Sequence, residues 1–130
     1  MPLGDSITEI TCWRTTVWGN LVNAGLASRV DFVGSMSNNP QNCQGVSGWD
    51  QNHEGHSGYQ SVDIANNNLQ GWLNNAKPDI VHFMLGTNDI VSGGKDATTI
   101  LNSYTKMVGL MRNSNSRMRI IVSGLVAVYA

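Results

Sequence analysis

Short apolar runs alternate with helix-length amphipathic stretches along the chain, and this alternation constrains the fold more than any other feature. The clearest apolar run, residues 79–85, is almost continuous, as expected for a strand in a sheet covered on both faces. Further strands are predicted at residues 1–4, 30–34 and 119–126. Strands that alternate with helices favour a parallel sheet with right-handed crossovers. The sequence therefore predicts an α/β fold with helices on both faces of a parallel sheet.

Three helices are predicted between these strands. The first is expected to begin at a Thr11 cap and to end at Gly25. Its apolar face would carry Trp13, Val17, Leu21 and Ala24. The second is expected to begin at a Ser61 cap and to stop before Pro78, and the third to begin at an Asp96 cap. Residues 35–59 form a long Asn- and Gly-rich loop, and a loop of that length is usually functional, disordered or pinned.

Length, charge and cysteine content narrow the classes of protein. The 130 residues fit a single domain, and the low charged fraction of 13% argues against disorder. A net charge of −1 gives no electrostatic case for nucleic acid or an anionic membrane as a partner. No apolar run approaches the roughly 20 residues of a membrane span, and the first residues do not resemble a signal peptide. Cys12 and Cys43 either pair, which would pin the long loop, or remain free thiols.

The carboxyl end of the first strand carries a candidate nucleophile. Parallel α/β sheets bind ligands beyond the carboxyl ends of their strands, so function is expected after residues 3, 34, 85 and 126. Ser6 follows the first of these ends and can act as a nucleophile if a base takes its proton. Gly4 would allow the tight turn, and Asp5 could hydrogen-bond the backbone that holds Ser6.

Two further segments supply hydrogen-bond donors at the same predicted edge. Asn88, in the segment Gly86-Thr87-Asn88-Asp89, can direct its amide to the same point as the N–H groups of Ser6 and Gly58. Three convergent donors form an oxyanion hole for acyl transfer, and losing one such donor costs roughly 3 kcal/mol of transition-state stabilisation. Each segment alone could be an ordinary turn, but their order along the chain favours a common site.

Histidines near the second segment raise a metal site as an alternative. His53, Glu54 and His56 are potential ligands. The histidines are three residues apart in a glycine-rich loop, whereas the histidines of zincins are four apart on a helix. We therefore predict no metal.

These motifs together resemble a known family. Gly4-Asp5-Ser6, Gly58 and Gly86-Thr87-Asn88-Asp89 are similar to the first three motif blocks of the SGNH, or GDSL-type, hydrolases. The stretches at residues 1–8, 12–14, 30–35 and 53–59 resemble carbohydrate esterase family 3, and the likeness spans essentially the whole chain.

The resemblance implies a flavodoxin-like three-layer sandwich and an esterase that removes acetyl groups from xylan and related sugars. It implies Ser6 as the nucleophile, and Ser6, Gly58 and Asn88 as the oxyanion hole, with Gly4, Asp5, Gly86 and Asp89 supporting them. It also implies a secreted protein that needs no organic cofactor and takes an acetylated oligo- or polysaccharide as its partner.

The family's fourth block, an Asp-x-x-His motif after the last strand, has no counterpart in this sequence. His82 follows Asp79 at that spacing but lies within the predicted strand 79–85, so we expect it to be a strand residue. We therefore interpret residues 1–130 as an N-terminal fragment of a single SGNH domain, which a second polypeptide could complete.

Two alternative interpretations of the function remain. His53 or His56 could replace the missing base, or the chain could bind carbohydrate without turnover, with Trp49 and Tyr59 stacking on sugar rings.

Overall fold

The structure, a computed structural model, describes residues 1–125 and contains a four-stranded parallel sheet in the order β2-β1-β3-β4. The strands are β1 (Pro2–Gly4), β2 (Glu54–Gly55), β3 (Ile80–Met84) and β4 (Arg119–Val122). In the central strand β1, Leu3 pairs with Glu54 on one side and with Phe83 on the other. The predicted α/β fold with a parallel sheet is confirmed, and its strand order is that of flavodoxin-like folds.

Six α-helices connect or follow these strands in the described part of the chain. They are α1 (Ser6–Ile10), α2 (Trp13–Asn23), α3 (Ser61–Asp63), α4 (Leu69–Ala76), α5 (Thr87–Val91) and α6 (Ala97–Ser114). A π-helical segment, Ile64–Asn68, joins α3 to α4, and a 3₁₀ turn covers Ala27–Arg29. The caps explain two of these boundaries. Asp96 accepts a hydrogen bond from Thr99 N at 2.7 Å at the start of α6, and α4 ends one residue before Lys77, which adopts a left-handed conformation ahead of Pro78.

The core lies between the sheet on one side and the π-helical segment, α4 and α6 on the other. Val81 and Phe83 of β3 point into it and are fully buried. Met107 and Met111, one turn apart on α6, cover them. Tyr104 meets Phe83 edge to face at 5.0 Å and donates a hydrogen bond to the Leu85 carbonyl, which fixes α6 against the end of β3.

The predicted strand at residues 30–34 is wrong. The strand beside β1 is β2, which lies inside the segment that the sequence assigned to a loop. Phe32 donates its backbone N–H to the carboxylate of Asp50 at 2.7 Å, so a side chain takes the place of a ladder partner. Its ring packs edge to face on Trp18 instead of entering a sheet. The β-forming composition of this segment is overridden by the tertiary contacts.

The predicted first helix is also corrected in detail. Thr11 does not cap α2, because its hydroxyl donates to the Ile7 carbonyl at 2.6 Å and so ends the separate helix α1. The side chains that α2 buries are Arg14, Thr15 and Trp18, whereas Val17 of the predicted apolar face is 38% exposed. Similarly, Ser61 is the first residue of α3 rather than its cap, a position that Gln60 holds.

Two interactions pin the long segment that precedes β2. A disulfide joins Cys12, at the start of α2, to Cys43. The buried guanidinium of Arg14 donates to four carbonyls: Thr8 O and Glu9 O of α1, each at 3.0 Å, and Gln51 O at 2.9 Å and Asn38 O at 3.2 Å in the long segment. These bonds satisfy a charged group that would be costly to bury alone, and they hold the segment against α1. None of the helices described is long and apolar enough to cross a membrane.

Candidate active site

Three segments of the chain meet at the carboxyl edge of the sheet. Ser6 opens α1 directly after β1, residues 56–58 follow β2, and residues 86–88 follow β3. Because β2 and β3 both pair with β1 in parallel, these three segments leave the sheet at the same edge. The strand that the sequence did not reveal, β2, is therefore the element that brings Gly58 towards Ser6.

The turn that carries Ser6 is held by its neighbours. Asp5 caps α1, and its buried carboxylate accepts a hydrogen bond from Ile7 N at 2.9 Å. Burial raises the pKa of this carboxyl, although that hydrogen bond opposes the effect. A Cβ on Gly4 would overlap the side chain of Thr8, so only glycine fits there. Ser6 is half-buried, and within residues 1–125 its hydroxyl makes no hydrogen bond, which leaves it free for a substrate.

The segment that carries Gly58 is tied to α1. His56 donates its backbone N–H to the Gly4 carbonyl at 2.9 Å. Glu9 accepts the backbone N–H of Ser57 at 2.7 Å and the Ser57 hydroxyl, and these bonds lower the pKa of the Glu9 carboxyl. Gly58 itself has φ +82°, a conformation that favours glycine, and open space where a side chain would stand. Within residues 1–125 the Gly58 backbone N–H donates no hydrogen bond, which fits the predicted donor.

The residues after β3 also form hydrogen bonds with the segment that follows Gly58. The Asn88 side-chain amide donates to the Tyr59 carbonyl at 3.0 Å, which uses one of its two N–H groups and leaves the other available. Buried Asp89 accepts hydrogen bonds from Ser61 N at 2.7 Å, Ser61 Oγ at 2.9 Å and Val62 N at 3.2 Å. Asn88 is therefore bonded to the residue that directly follows Gly58.

Gly86 precedes α5, and its carbonyl accepts the Ile90 N–H at 3.0 Å to start that helix. The four predicted supporting residues, Gly4, Asp5, Gly86 and Asp89, are therefore all in the two turns that carry Ser6 and Asn88. Of the other two predicted edge positions, residue 34 does not end a strand, and residue 126 lies outside the described residues.

None of the three histidines forms a hydrogen bond with Ser6 in the part of the chain that the structure describes. His53 is fully buried, its Nε2 lies 2.9 Å from Asn38 Oδ1, and its Nδ1 accepts the Gly55 N–H at 3.0 Å. Burial, with a contribution from the charge of Arg14, lowers the pKa of His53 to about 4. His82 lies in β3, with its Nε2 2.7 Å from Ser123 Oγ, so it is the strand residue that the sequence predicted.

His56 is engaged by a buried carboxylate. Its Nε2 lies 2.6 Å from Glu54 Oε1, and Glu54 also accepts the N–H of Ser35 at 2.8 Å and its hydroxyl at 2.6 Å. Burial alone would raise the pKa of Glu54, but the bonds from His56 and Ser35 outweigh it and hold that pKa below its usual range. Across residues 1–125 no group of three or more His, Cys, Asp or Glu side chains is arranged to hold a metal ion.

The His56 ring also belongs to an aromatic cluster, which comprises His56, Tyr59 and Trp72. It stacks on Trp72 at 4.5 Å with the planes 7° apart, and on Tyr59 at 5.0 Å with the planes 28° apart. Trp49, the other aromatic residue proposed to meet sugars, instead lies under the Arg14 guanidinium, 5.5 Å from its ring centre.

Comparison with known protein families identifies the family to which the chain belongs. The sequence pattern of the GDSL-like lipase/acylhydrolase family matches residues 3–130, and the chain belongs to this family. The resemblance found in the sequence is thus confirmed. A comparison with curated proteins gave no match.

Three solved structures are similar to this chain in both fold and sequence. An acetyl esterase mutant crystallised with an acetate ion has a TM-score of 0.92 and 56% identity over 94% of this chain and 59% of its own. A carbohydrate esterase family 3 protein from Talaromyces cellulolyticus has a TM-score of 0.92 and 57% identity, covering 94% of this chain and 59% of that one. A family 3 carbohydrate esterase from Clostridium thermocellum has a TM-score of 0.75 and 33% identity, covering 94% of this chain and 58% of that one. The chain thus spans only 58–59% of the length of these relatives.

Proposed function

We propose that the chain carries the nucleophile and oxyanion-hole part of a secreted serine esterase that removes acetyl groups from xylan-type polysaccharides. The observation that supports this most directly is the arrangement of Ser6, Gly58 and Asn88 after three adjacent parallel strands, fastened by the bonds from His56 N to Gly4 O and from Asn88 to Tyr59 O. Relatives described as an acetyl esterase and as family 3 carbohydrate esterases support the substrate class.

In the proposed reaction the Ser6 hydroxyl attacks the carbonyl carbon of the acetyl ester while a base takes its proton. The oxygen that becomes negative accepts hydrogen bonds from Ser6 N–H, Gly58 N–H and the free Asn88 amide N–H. The sugar oxygen leaves and takes the proton from the base, so that acetyl-Ser6 remains. Water then attacks acetyl-Ser6 in the same way and releases acetate.

The base is the part that residues 1–125 do not supply in this arrangement. His53 has both ring nitrogens occupied, His56 is held by Glu54, and His82 lies in β3. We therefore propose that a further polypeptide segment, in the same chain or a second one, brings the Asp-x-x-His motif to Ser6. Without it, only the modest rate that an oxyanion hole and binding can give is expected.

The test is hydrolysis of p-nitrophenyl acetate by the chain alone and by the chain extended with the C-terminal segment of the Talaromyces cellulolyticus protein. A large gain in rate on extension, lost again in the extended Ser6→Ala variant, is the expected result. Equal rates with and without Ser6 would contradict the proposal.

A second candidate function is binding of acetylated carbohydrate without turnover. The engagement of all three histidines away from Ser6 favours it. Binding of an acetylated xylo-oligosaccharide by the extended chain with no Ser6-dependent hydrolysis would support this second function over the first.

A further inference from the structure

The aromatic cluster defined above adjoins the oxyanion-hole residues. Tyr59 follows Gly58 directly, and its carbonyl accepts the hydrogen bond that positions Asn88. Tyr59 is 38% exposed, whereas the His56 side chain is only 15% exposed and Trp72 is partly buried. The most accessible ring of the cluster therefore belongs to the residue that follows Gly58 and whose carbonyl is bonded to Asn88.

The cluster is fixed before any ligand arrives. Buried Glu54 anchors the His56 ring, and the Ser35 backbone and hydroxyl anchor Glu54 in turn. His56 and Trp72 stack nearly parallel, and Tyr59 lies at 28° to His56 and 30° to Trp72. A ligand that packs on these rings would not have to order them, which removes one of the usual entropic costs of binding.

The chemistry of the exposed ring selects one kind of ligand. An aromatic surface that is partly open to water binds a flat apolar group well, particularly when polar groups surround it. A pyranose ring offers such a group on its C–H face and hydroxyls around its edge. Polar groups are available on the same segment and on its bonded neighbour: the Ser57 hydroxyl, two residues before Tyr59, and the second amide N–H of Asn88, whose first one is bonded to the Tyr59 carbonyl.

We propose that the aromatic cluster is a sugar subsite, in which the Tyr59 ring packs against the apolar face of the pyranose whose acetyl group lies at Ser6. This inference rests on the proposed function, because it assigns the sugar of the same substrate. It excludes Trp49 from the subsite, since that ring packs against Arg14 and the neighbouring loop.

The experiment measures binding of acetylated xylotriose by isothermal titration calorimetry, in a Ser6→Ala background that prevents hydrolysis. Tyr59→Ala removes the ring but keeps the carbonyl that holds Asn88, and it should weaken binding roughly 3- to 10-fold, the loss typical of one aromatic contact. Tyr59→Phe keeps the ring and should bind within about twofold of the parent, because within residues 1–125 the Tyr59 hydroxyl makes no hydrogen bond. Leu26→Ala is the matched control, since Leu26 is 40% exposed and lies beyond the end of α2.

A second probe, acetate alone, separates the sugar subsite from the acyl site. We expect Tyr59→Ala to leave acetate binding unchanged, and circular dichroism to match the parent spectrum. Unweakened binding of acetylated xylotriose by Tyr59→Ala would overturn the subsite and leave the proposed function standing. An equal loss for acetate and acetylated xylotriose would also overturn it. If the parent binds acetylated xylotriose not at all, the proposed function fails and the subsite with it.

Discussion

Replacing Asp89 by asparagine should weaken the hydrogen bonds that connect the segment after β3 to the start of α3. Asp89 is completely buried, and its two carboxylate oxygens accept hydrogen bonds from Ser61 N, Ser61 Oγ and Val62 N. Asparagine has the same size but replaces one of these oxygens by an NH₂ group. That group would face a donor, so at least one bond to a charged acceptor is lost.

The magnitude follows from the number of bonds at risk. A hydrogen bond to a charged group contributes about 1.5–3 kcal/mol, and a buried donor left unsatisfied adds a cost of its own. We expect Asp89→Asn to lower the free energy of unfolding by about 3 kcal/mol, at the upper end for one lost bond. Because Asn88 holds Tyr59 next to the loosened segment, substrate turnover by the extended chain should also fall.

The assay is equilibrium unfolding in urea, followed by tryptophan fluorescence. The matched control is Asp63→Asn, the same substitution at an exposed aspartate of α3, which should change the free energy of unfolding by less than about 0.5 kcal/mol. A loss below about 1 kcal/mol for Asp89→Asn, or an equal loss in both variants, would refute the role assigned to Asp89.

Three further predictions concern stability, all measured by urea unfolding. Reducing the Cys12–Cys43 disulfide, which spans 31 residues, should cost about 3.7 kcal/mol by loop-closure entropy, and no effect would argue against a pinned loop. Arg14→Met should cost about 3 kcal/mol or more by leaving buried carbonyls unpaired, whereas exposed Arg29→Met should cost little. Because the pKa of His53 is about 4 when folded and 6.5 when unfolded, its contribution is full above pH 6.5 and is lost as the pH falls to 4. That loss is at most about 3 kcal/mol, and His53→Gln should flatten this part of the pH profile; an unchanged profile would contradict the shift.

The sequence predicts the parts of the fold that depend on local pattern. The run at residues 79–85 is long and apolar enough to identify β3, and the cap at Asp96 correctly starts α6. The sequence does not predict β2, since Glu54–Gly55 has only two residues, one of them charged, and no alternating pattern. Glu54 is buried there because Ser35 and His56 donate to its carboxylate, and those contacts depend on the tertiary structure.

The candidate site divides in a similar way. Ser6 and Asn88 follow strands that the sequence identifies, so their placement at one edge can be expected in advance. The bonds that fix the segment around Gly58 cannot be expected from the sequence, because they come from side chains far away along the chain, such as Glu9 and Asp89. A signal for Glu9 does exist in the sequence. It is an acidic residue in the first turn of a helix that begins at the Asp5 cap, where a carboxylate is favoured.

The most direct test of the central claim, that Ser6 is the nucleophile of an acyl transfer, is a peptide map of the acid-quenched protein after brief exposure to p-nitrophenyl acetate. The extended chain, which carries the proposed base, should show an acetyl group on the peptide that contains Ser6 and on no peptide of the Ser6→Ala variant. An acetyl group found only on another residue, with Ser6 unmodified while hydrolysis proceeds, would contradict the claim.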